Sequence, residues 1–139
     1  MLTPERIAEA NRMSKGTLQE ALGITFVDGG ADVLTATMPV GASTKQPMGL
    51  LHGGATAALA ESLGSTGSAM LIDLSTHAVV GIEVNANHLK GVRDGVVTAT
   101  GRLLHKGRST HVWDIRVTDS AGALVAVCRI TNMIIPKRP

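Results

Sequence analysis

The sequence predicts an α+β fold in which an antiparallel β-sheet packs against one long helix. Residues 53–71 are rich in Ala, Leu, Gly and Ser and contain no proline, as a packed helix requires. After residue 77 the hydrophobic period changes to two, in four segments that short turns separate. Short turns join antiparallel strands, and such a sheet must bury one face against another element. The 139 residues suit a single domain, 1–139.

The chain opens with a predicted helix and a hairpin. In TPERIAEANRMSKGTLQEAL, Thr3 can cap the helix, Pro4 suits its first position, and Gly16 should interrupt it. A strand is expected over 23–27, followed by a turn at DGGAD and a second strand over 33–38.

The long helix is predicted from Gly53 to Leu71, after the loop VGASTKQPMG. The strands that follow it are expected at 77–90, 96–105, 109–117 and 123–135. Alternation in the first of them predicts one apolar face made of Ala78, Val80, Ile82, Val84 and Ala86. A single helix cannot cover both faces of such a sheet, so we expect an oligomer, most simply a dimer.

Composition excludes several classes of function. One Phe, one Trp and no Tyr leave little for a nucleic-acid surface built on stacking, and the net charge is only +2. The N-terminus lacks the apolar core of a signal peptide, and no apolar run reaches the roughly 18 residues of a membrane span. Cys128 is the only cysteine, which favours a reducing compartment, the cytoplasm.

The histidines do not predict a metal site. None of the five pairs with another at helical metal-ligand spacing, and Cys128 is isolated from them in the sequence. His105 and His111 flank a predicted turn, and we expect both to be surface or rim residues. We therefore expect neither a metal nor any other cofactor.

Glu61 is a lone acid in the long helix. Its neighbours at helical spacing are small, among them Ala57, Gly64 and Ser65, which predicts a strip that another molecule or subunit approaches closely. Gly64 and Gly67 each forgo roughly 1 kcal/mol of helix propensity relative to alanine, which suggests that closeness is required. Ser65 can reach the carboxylate, because it lies one turn further on.

The start of this helix offers a second reactive feature. Two glycines in LLHGGA expose backbone N–H groups that have no partner within the helix and that favour a developing negative oxygen. A donor at the helix start and an acid two turns later could bracket a carbonyl. The alternative is a solvated glutamate in a helix with an ordinary Gly-Gly start.

These motifs together resemble a known family. KQPMGLLHGGATAALAESLGS followed by VVGIEVNANHLK is similar to the hotdog-fold acyl-CoA thioesterases, in the branch whose catalytic acid is a helix glutamate. That branch includes the 4-hydroxybenzoyl-CoA, 1,4-dihydroxy-2-naphthoyl-CoA and enterobactin-proofreading thioesterases. The resemblance runs from about residue 23 to residue 132. It implies a sheet wrapped around one central helix and the hydrolysis of acyl-CoA, in particular aryl-CoA.

The resemblance also implies a role for each of five residues. Glu61 matches the catalytic carboxylate, a nucleophile or a general base on water, and Ser65 the hydroxyl that assists it. Gly53 matches the residue whose N–H polarises the thioester carbonyl, and Gln46 a side-chain amide near the same carbonyl. His52 matches a histidine that orients the leaving thiol or the loop. Family members are dimers with composite sites, in which these groups face the acid of the other subunit, and dimers often pair into tetramers.

A second group of residues is expected on the coenzyme A side. His88 and Lys90 end their strand at a rim, and Lys90 resembles a position where relatives often carry a phosphate-binding Arg. HKGRST offers Arg108, Ser109 and Thr110 as a phosphate cradle, or simply as a hairpin with solvated charges.

The acyl pocket is expected to include a set of apolar side chains: Met48, Leu50, Leu59 and Leu63. Two other functions stay open at this point. One is hydrolysis of acyl groups on a carrier protein, and the other is a hotdog domain that binds acyl-CoA without turnover.

Overall fold

The computed structural model describes residues 2–138. Within them a six-stranded antiparallel sheet encloses one long helix, as the sequence predicts. The helices are α1 Pro4–Met13, α2 Leu18–Ala21 and α3 Gly53–Ala69. The strands are β1 Thr25–Gly29, β2 Val33–Pro39, β3 His77–His88, β4 Val96–Lys106, β5 Thr110–Thr118 and β6 Leu124–Pro136. Their order across the sheet is β1-β2-β4-β5-β6-β3. No helix in the described part of the chain is long and apolar enough to cross a bilayer.

The N-terminal helix covers one edge of the sheet. Thr3 caps α1 by accepting a hydrogen bond from the Arg6 N–H, Pro4 is its first residue, and Gly16 lies beyond its end with φ +73°. The side chain of Asn11 donates to the Phe26 carbonyl and accepts from the Phe26 N–H. Asn11 therefore satisfies backbone groups of edge strand β1 that another strand would otherwise satisfy.

Helix α3 packs closely on the sheet. Its glycines serve this packing, because a β-carbon on Gly64 would overlap Ile130, and one on Gly67 would stand 2.6 Å from the ring of Trp113. Both glycines are buried. The expectation that these glycines make room for another molecule or subunit is therefore wrong, since the sheet of the same chain occupies that space.

Strand β3 forms the opposite edge, and a β-bulge divides it. Gly81 pairs with Asn132 and Glu83 with Thr131, so Ile82 is the extra residue. Because side chains alternate along a strand, the bulge reverses which residues face α3. Val79 and Gly81 face the helix before the bulge, and Val84 and Ala86 face it afterwards.

The predicted single apolar face of β3 is therefore wrong. Ala78 and Val80 lie on the outer side of the sheet, and the bulge residue Ile82 is 53% exposed. Val80 and Val84 are 43% and 38% exposed in the single chain. The residues described here leave the edge of β3 uncovered, in contrast to the edge of β1.

Candidate active site

A cavity of about 380 Å³ lies at the N-terminal end of α3. Five residues predicted for the site or its acyl pocket line it: Gln46, Leu50, Gly53, His88 and Lys90. A larger groove of about 920 Å³, between α1 and the C-terminal end of α3, contains none of the predicted residues. The chemistry predicted from the sequence therefore points to the smaller cavity.

The first turn of α3 presents one free backbone donor. His52 is the N-cap, and its Nδ1 accepts a 2.7 Å hydrogen bond from the Gly54 N–H. Within residues 2–138 no group accepts a hydrogen bond from the Gly53 N–H. The imidazole thus fixes the helix start and leaves the N–H of Gly53, at the positive end of the helix dipole, for a ligand.

The ring of His88 lies directly over Gly53. A β-carbon on Gly53 would stand 2.9 Å from Nε2 of His88, so glycine is what allows this contact. Because His88 ends β3, the contact joins the edge strand to the first turn of α3. His88 was predicted for the coenzyme A side, and the structure places it beside Gly53, whose N–H is the predicted oxyanion donor.

Gln46 presents a second donor to this cavity. Its side-chain oxygen accepts a hydrogen bond from the Met48 N–H, and its backbone N–H donates to Leu50 at 2.8 Å. Gly49, with φ +81°, makes the turn that brings these groups together. Because the oxygen is engaged, the amide group of Gln46 remains as the end that can donate to a carbonyl.

Glu61 lies outside this cavity, on the half-buried side of α3 that faces the edge strand. The Ser65 hydroxyl is 3.3 Å from Oε1 of Glu61, as the helical spacing predicts. The carboxylate lies against the backbone of Gly81, where a β-carbon would overlap Oε1.

Ser65 continues into a buried polar network. Its hydroxyl is also 3.3 Å from Oδ1 of Asn132, whose amide group donates to the Gly64 carbonyl and to Ser68, each at 3.0 Å. Ser68 in turn accepts from the indole N–H of Trp113 at 2.9 Å. The network connects the acid with the centre of the core, where these polar groups are all paired.

The residues predicted for phosphate binding do not lie together in the folded structure of one chain. Lys90 forms an ion pair with Asp119, and hydrogen bonds from Lys90 and the Ala123 backbone lower the pKa of the Asp119 carboxyl. Arg108, Ser109 and Thr110 lie in and beside the β4–β5 hairpin, at the other end of the sheet. Within one chain, these three residues therefore cannot bind the same phosphate as Lys90.

Part of the predicted acyl pocket is wrong for this chain. Leu59 and Leu63 are fully buried in the core beneath the sheet, where they cannot line the cavity. Met48 is 76% exposed in its loop and does not line the cavity either. Leu50 is the one of the four that does.

The predicted surface position of His111 is also wrong. His111 is 1% exposed, because its side chain lies on the helix-facing side of β5 together with Trp113 and Ile115. No described residue bonds its Nδ1. Burial, followed by the charges of Lys106 and His105, lowers the pKa of His111. Cys128 is buried as well, and burial raises the pKa of its thiol to about 11.

Two residues near Glu61 were not predicted for the site, although the sequence carries a signal for each. Gly81 interrupts a run of β-branched residues, and a glycine inside a strand often marks a close approach. Asn132 occupies a core-facing position of β6. A buried amide at such a position implies partners that only the neighbouring helix could supply.

The fold and the arrangement of these groups define a class of protein. An antiparallel sheet wrapped around one long helix is a hotdog fold, and this helix carries an acid in its third turn and, at its start, an N–H that has no acceptor among residues 2–138.

Comparison with known proteins identifies the family. Residues 48–126 match the model of the thioesterase superfamily. The chain is 43% identical to 1,4-dihydroxy-2-naphthoyl-CoA hydrolase of Escherichia coli, over 90% of this chain and 91% of the relative. It is also 43% identical to the proofreading thioesterase EntH of Cronobacter sakazakii, over 90% of each chain. A mutant of thioesterase PA1618 from Pseudomonas aeruginosa superposes with a TM-score of 0.92 at 46% identity, covering 94% of both chains. The chain belongs to the thioesterase superfamily, and it is a thioesterase.

Proposed function

We propose that the protein hydrolyses acyl-CoA thioesters, preferentially those of aromatic acids, to the free acid and coenzyme A. The names of two relatives support this choice, since one is a dihydroxynaphthoyl-CoA hydrolase and the other a proofreading thioesterase. The cavity supports it as well, because donors from Gln46 and Gly53 line it and Lys90 lies at its rim to meet a phosphate.

One observation carries the proposed arrangement of the site: within one chain, Glu61 and the Gly53 N–H are too far apart to act on the same carbonyl. Glu61 lies eight positions after Gly53 on α3, which is about 12 Å along the helix axis. Reacting groups must approach to roughly 3–3.5 Å. We therefore infer a composite site, in which the Gly53 N–H and Gln46 of one copy hold a carbonyl that Glu61 of the other copy attacks.

The uncovered edge of the sheet is where we expect the second copy. α1 covers the edge of β1 through Asn11, whereas β3 exposes Val80 and Ile82. An exposed apolar edge strand is a template for pairing with another strand. A twofold axis at this edge would also bring the β4–β5 hairpin of one copy towards Lys90 of the other. Arg108, Ser109 and Thr110 could then contact the same coenzyme A.

The chemistry needs no group beyond the two chains and water. As a nucleophile, Glu61 forms a bond to the thioester carbon and the C–S bond breaks, giving a mixed anhydride and the thiolate; water then cleaves the anhydride. As a general base, Glu61 takes a proton from water while the water oxygen attacks the carbon; the C–S bond then breaks, and the leaving thiolate takes the proton from Glu61. In both routes the Gly53 N–H stabilises the oxyanion, which is worth roughly 10²–10³-fold in rate.

We extend the proposal to the oligomeric state of the enzyme and to its location in the cell. Two such dimers form a tetramer, as the resemblance to the family implies. The enzyme acts in the cytoplasm, where its one cysteine stays reduced. No metal or other cofactor takes part in the reaction.

The direct test measures thiol release from benzoyl-CoA and hydroxybenzoyl-CoA with a chromogenic disulfide. Glu61→Ala should lower kcat by more than about 10²-fold, because it removes the attacking or proton-accepting group. Glu9→Ala, at an exposed acid of α1, is the matched control and should be unchanged. Full activity of Glu61→Ala would refute the mechanism.

A mixing experiment tests the composite site. Glu61→Ala and Gln46→Ala, each impaired alone, are unfolded together and refolded at equal concentration. Half of the dimers are then hybrids with one intact site, so about a quarter of wild-type activity should return. A site contained in one chain would give no recovery.

A thioester panel separates the alternatives. Faster turnover of aroyl groups on a carrier protein than on coenzyme A would favour a proofreading enzyme. Binding of acyl-CoA without any thiol release would favour a sensor.

A further inference from the structure

The carboxylate of Glu61 is in contact with a glycine of the edge strand. A β-carbon built on Gly81 would overlap Oε1 of Glu61 and stand 3.2 Å from its Cδ and 3.4 Å from Oε2. All three of the nearest heavy atoms to that position belong to Glu61. The carboxylate of Glu61 therefore occupies the space that a side chain at position 81 would take.

The backbone of Gly81 gives no other reason for glycine. Five glycines of the described residues have a positive φ, and Gly81 is not one of them. A glycine inside a strand is unfavourable, because it loses more conformational freedom than other residues and has no side chain to pack. The close approach of Glu61 explains why β3 contains a glycine at this position although glycine destabilises a strand.

A second contact, with Ser65, also holds the carboxylate. Gly81 pairs with Asn132 on β6, and Oδ1 of Asn132 is 3.3 Å from the Ser65 hydroxyl. The same hydroxyl is 3.3 Å from Oε1 of Glu61. The bulge that follows Gly81 keeps Gly81 itself facing α3 while it redirects the rest of the strand.

We propose that Gly81 is a positioning residue of the active site, whose bare Cα sets where the carboxylate of Glu61 stands. The proposal rests on the proposed role of Glu61 and deepens it. The carboxylate is the end of a flexible side chain, so a methyl group at position 81 displaces the carboxylate and leaves the strand in place. A misplacement of about 1 Å can cost roughly 10²-fold in rate.

The test compares Gly81→Ala with Gly30→Ala, where a β-carbon meets nothing within 4 Å. Gly81→Ala should lower kcat by roughly 10–10²-fold and leave KM and the melting temperature close to wild type. Gly30→Ala should leave kcat unchanged. A crystal structure of Gly81→Ala should show the Glu61 carboxylate moved and β3 in place.

A double-mutant cycle separates positioning from a general effect on β3. The Glu61→Asp side chain is one methylene shorter, so its carboxylate oxygens fall near the place of Glu61 Cδ, 3.2 Å from a β-carbon at position 81, and the overlap made by Oε1 is relieved. Adding Gly81→Ala to Glu61→Asp should therefore change kcat by less than about 3-fold. An equal loss of kcat in the wild-type and Glu61→Asp backgrounds would overturn the proposal, since the methyl group would then act through the strand.

The outcomes distinguish this proposal from the proposed function. If Glu61→Ala is inactive while Gly81→Ala equals Gly30→Ala, Gly81 has no positioning role and the role of Glu61 stands. If Glu61→Ala is fully active, the proposed function fails and the role of Gly81 fails with it.

Discussion

At the scale of single residues, Ser65 has one proton and two acceptors. Its hydroxyl is equidistant from Glu61 and Asn132, at 3.3 Å from each. Turning over the amide of Asn132 would place its Oδ1 against the Gly64 carbonyl oxygen, which now accepts from the amide group at 3.0 Å, so the orientation shown is favoured. Ser65 can therefore donate to Glu61 while the carboxylate is charged, and to Asn132 when the proposed reaction removes that charge.

His111 should make the stability of the protein depend on pH. Burial lowers its pKa in the folded chain, so between that value and the unfolded pKa, about 6.5, the unfolded chain binds the extra proton. Stability should therefore decrease as the pH falls below about 6.5. We expect a larger fall in melting temperature between pH 7.5 and 5.5 for wild type than for His111→Leu, which cannot titrate there. Parallel curves would contradict this role, since the other histidines are common to both proteins.

At the scale of elements, α3 combines two demands on one helix. Its first turn keeps an N–H free through the cap at His52, and its middle packs glycines on the sheet. The start at Gly53 was predicted from the sequence because the Gly-Gly pair that follows the loop is a local signal, whereas the cap by His52 appears only in the structure. The partners of Gly64 and Gly67 were predicted wrongly, because helical spacing defines which residues share a face but not what covers that face.

Gly67→Ala tests the packing of α3. Its methyl group would stand 2.6 Å from the fully buried ring of Trp113. Overpacking of this kind typically costs about 1–3 kcal/mol, which exceeds the roughly 1 kcal/mol that alanine gains in helix propensity. Urea denaturation should show a lower midpoint than for Gly41→Ala, where the β-carbon meets nothing within 4 Å. A midpoint above wild type would mean that the ring moves freely.

At the scale of the whole molecule, the two edges of the sheet differ. α1 satisfies backbone groups of β1, and the described residues leave β3 exposed with Val80 and Ile82. A second copy was expected from the sequence because one helix cannot cover two faces. The structure suggests a more specific reason, which is that one edge lacks a covering element.

Replacing Val80 and Ile82 together by lysine tests pairing at this edge. A twofold axis would bring like charges from the two copies close together, and lysine on an edge strand opposes pairing. Light scattering should show a shift towards monomer, with thiol release reduced in proportion. Leu18→Lys, at a residue 63% exposed in α2, is the control and should keep its mass. An unchanged mass of the double variant would exclude this edge as the interface.

The sequence by itself determined the order of the elements, the free N–H at Gly53, and the closeness of Ser65 to Glu61. Each follows from spacing within one element, which is fixed by helix and strand geometry. Tertiary structure alone decided that Gly81 borders the acid, that His88 covers Gly53, and that His111 is buried. These contacts join elements far apart in the chain, and in β3 they depend on a bulge that reverses the alternation of side chains.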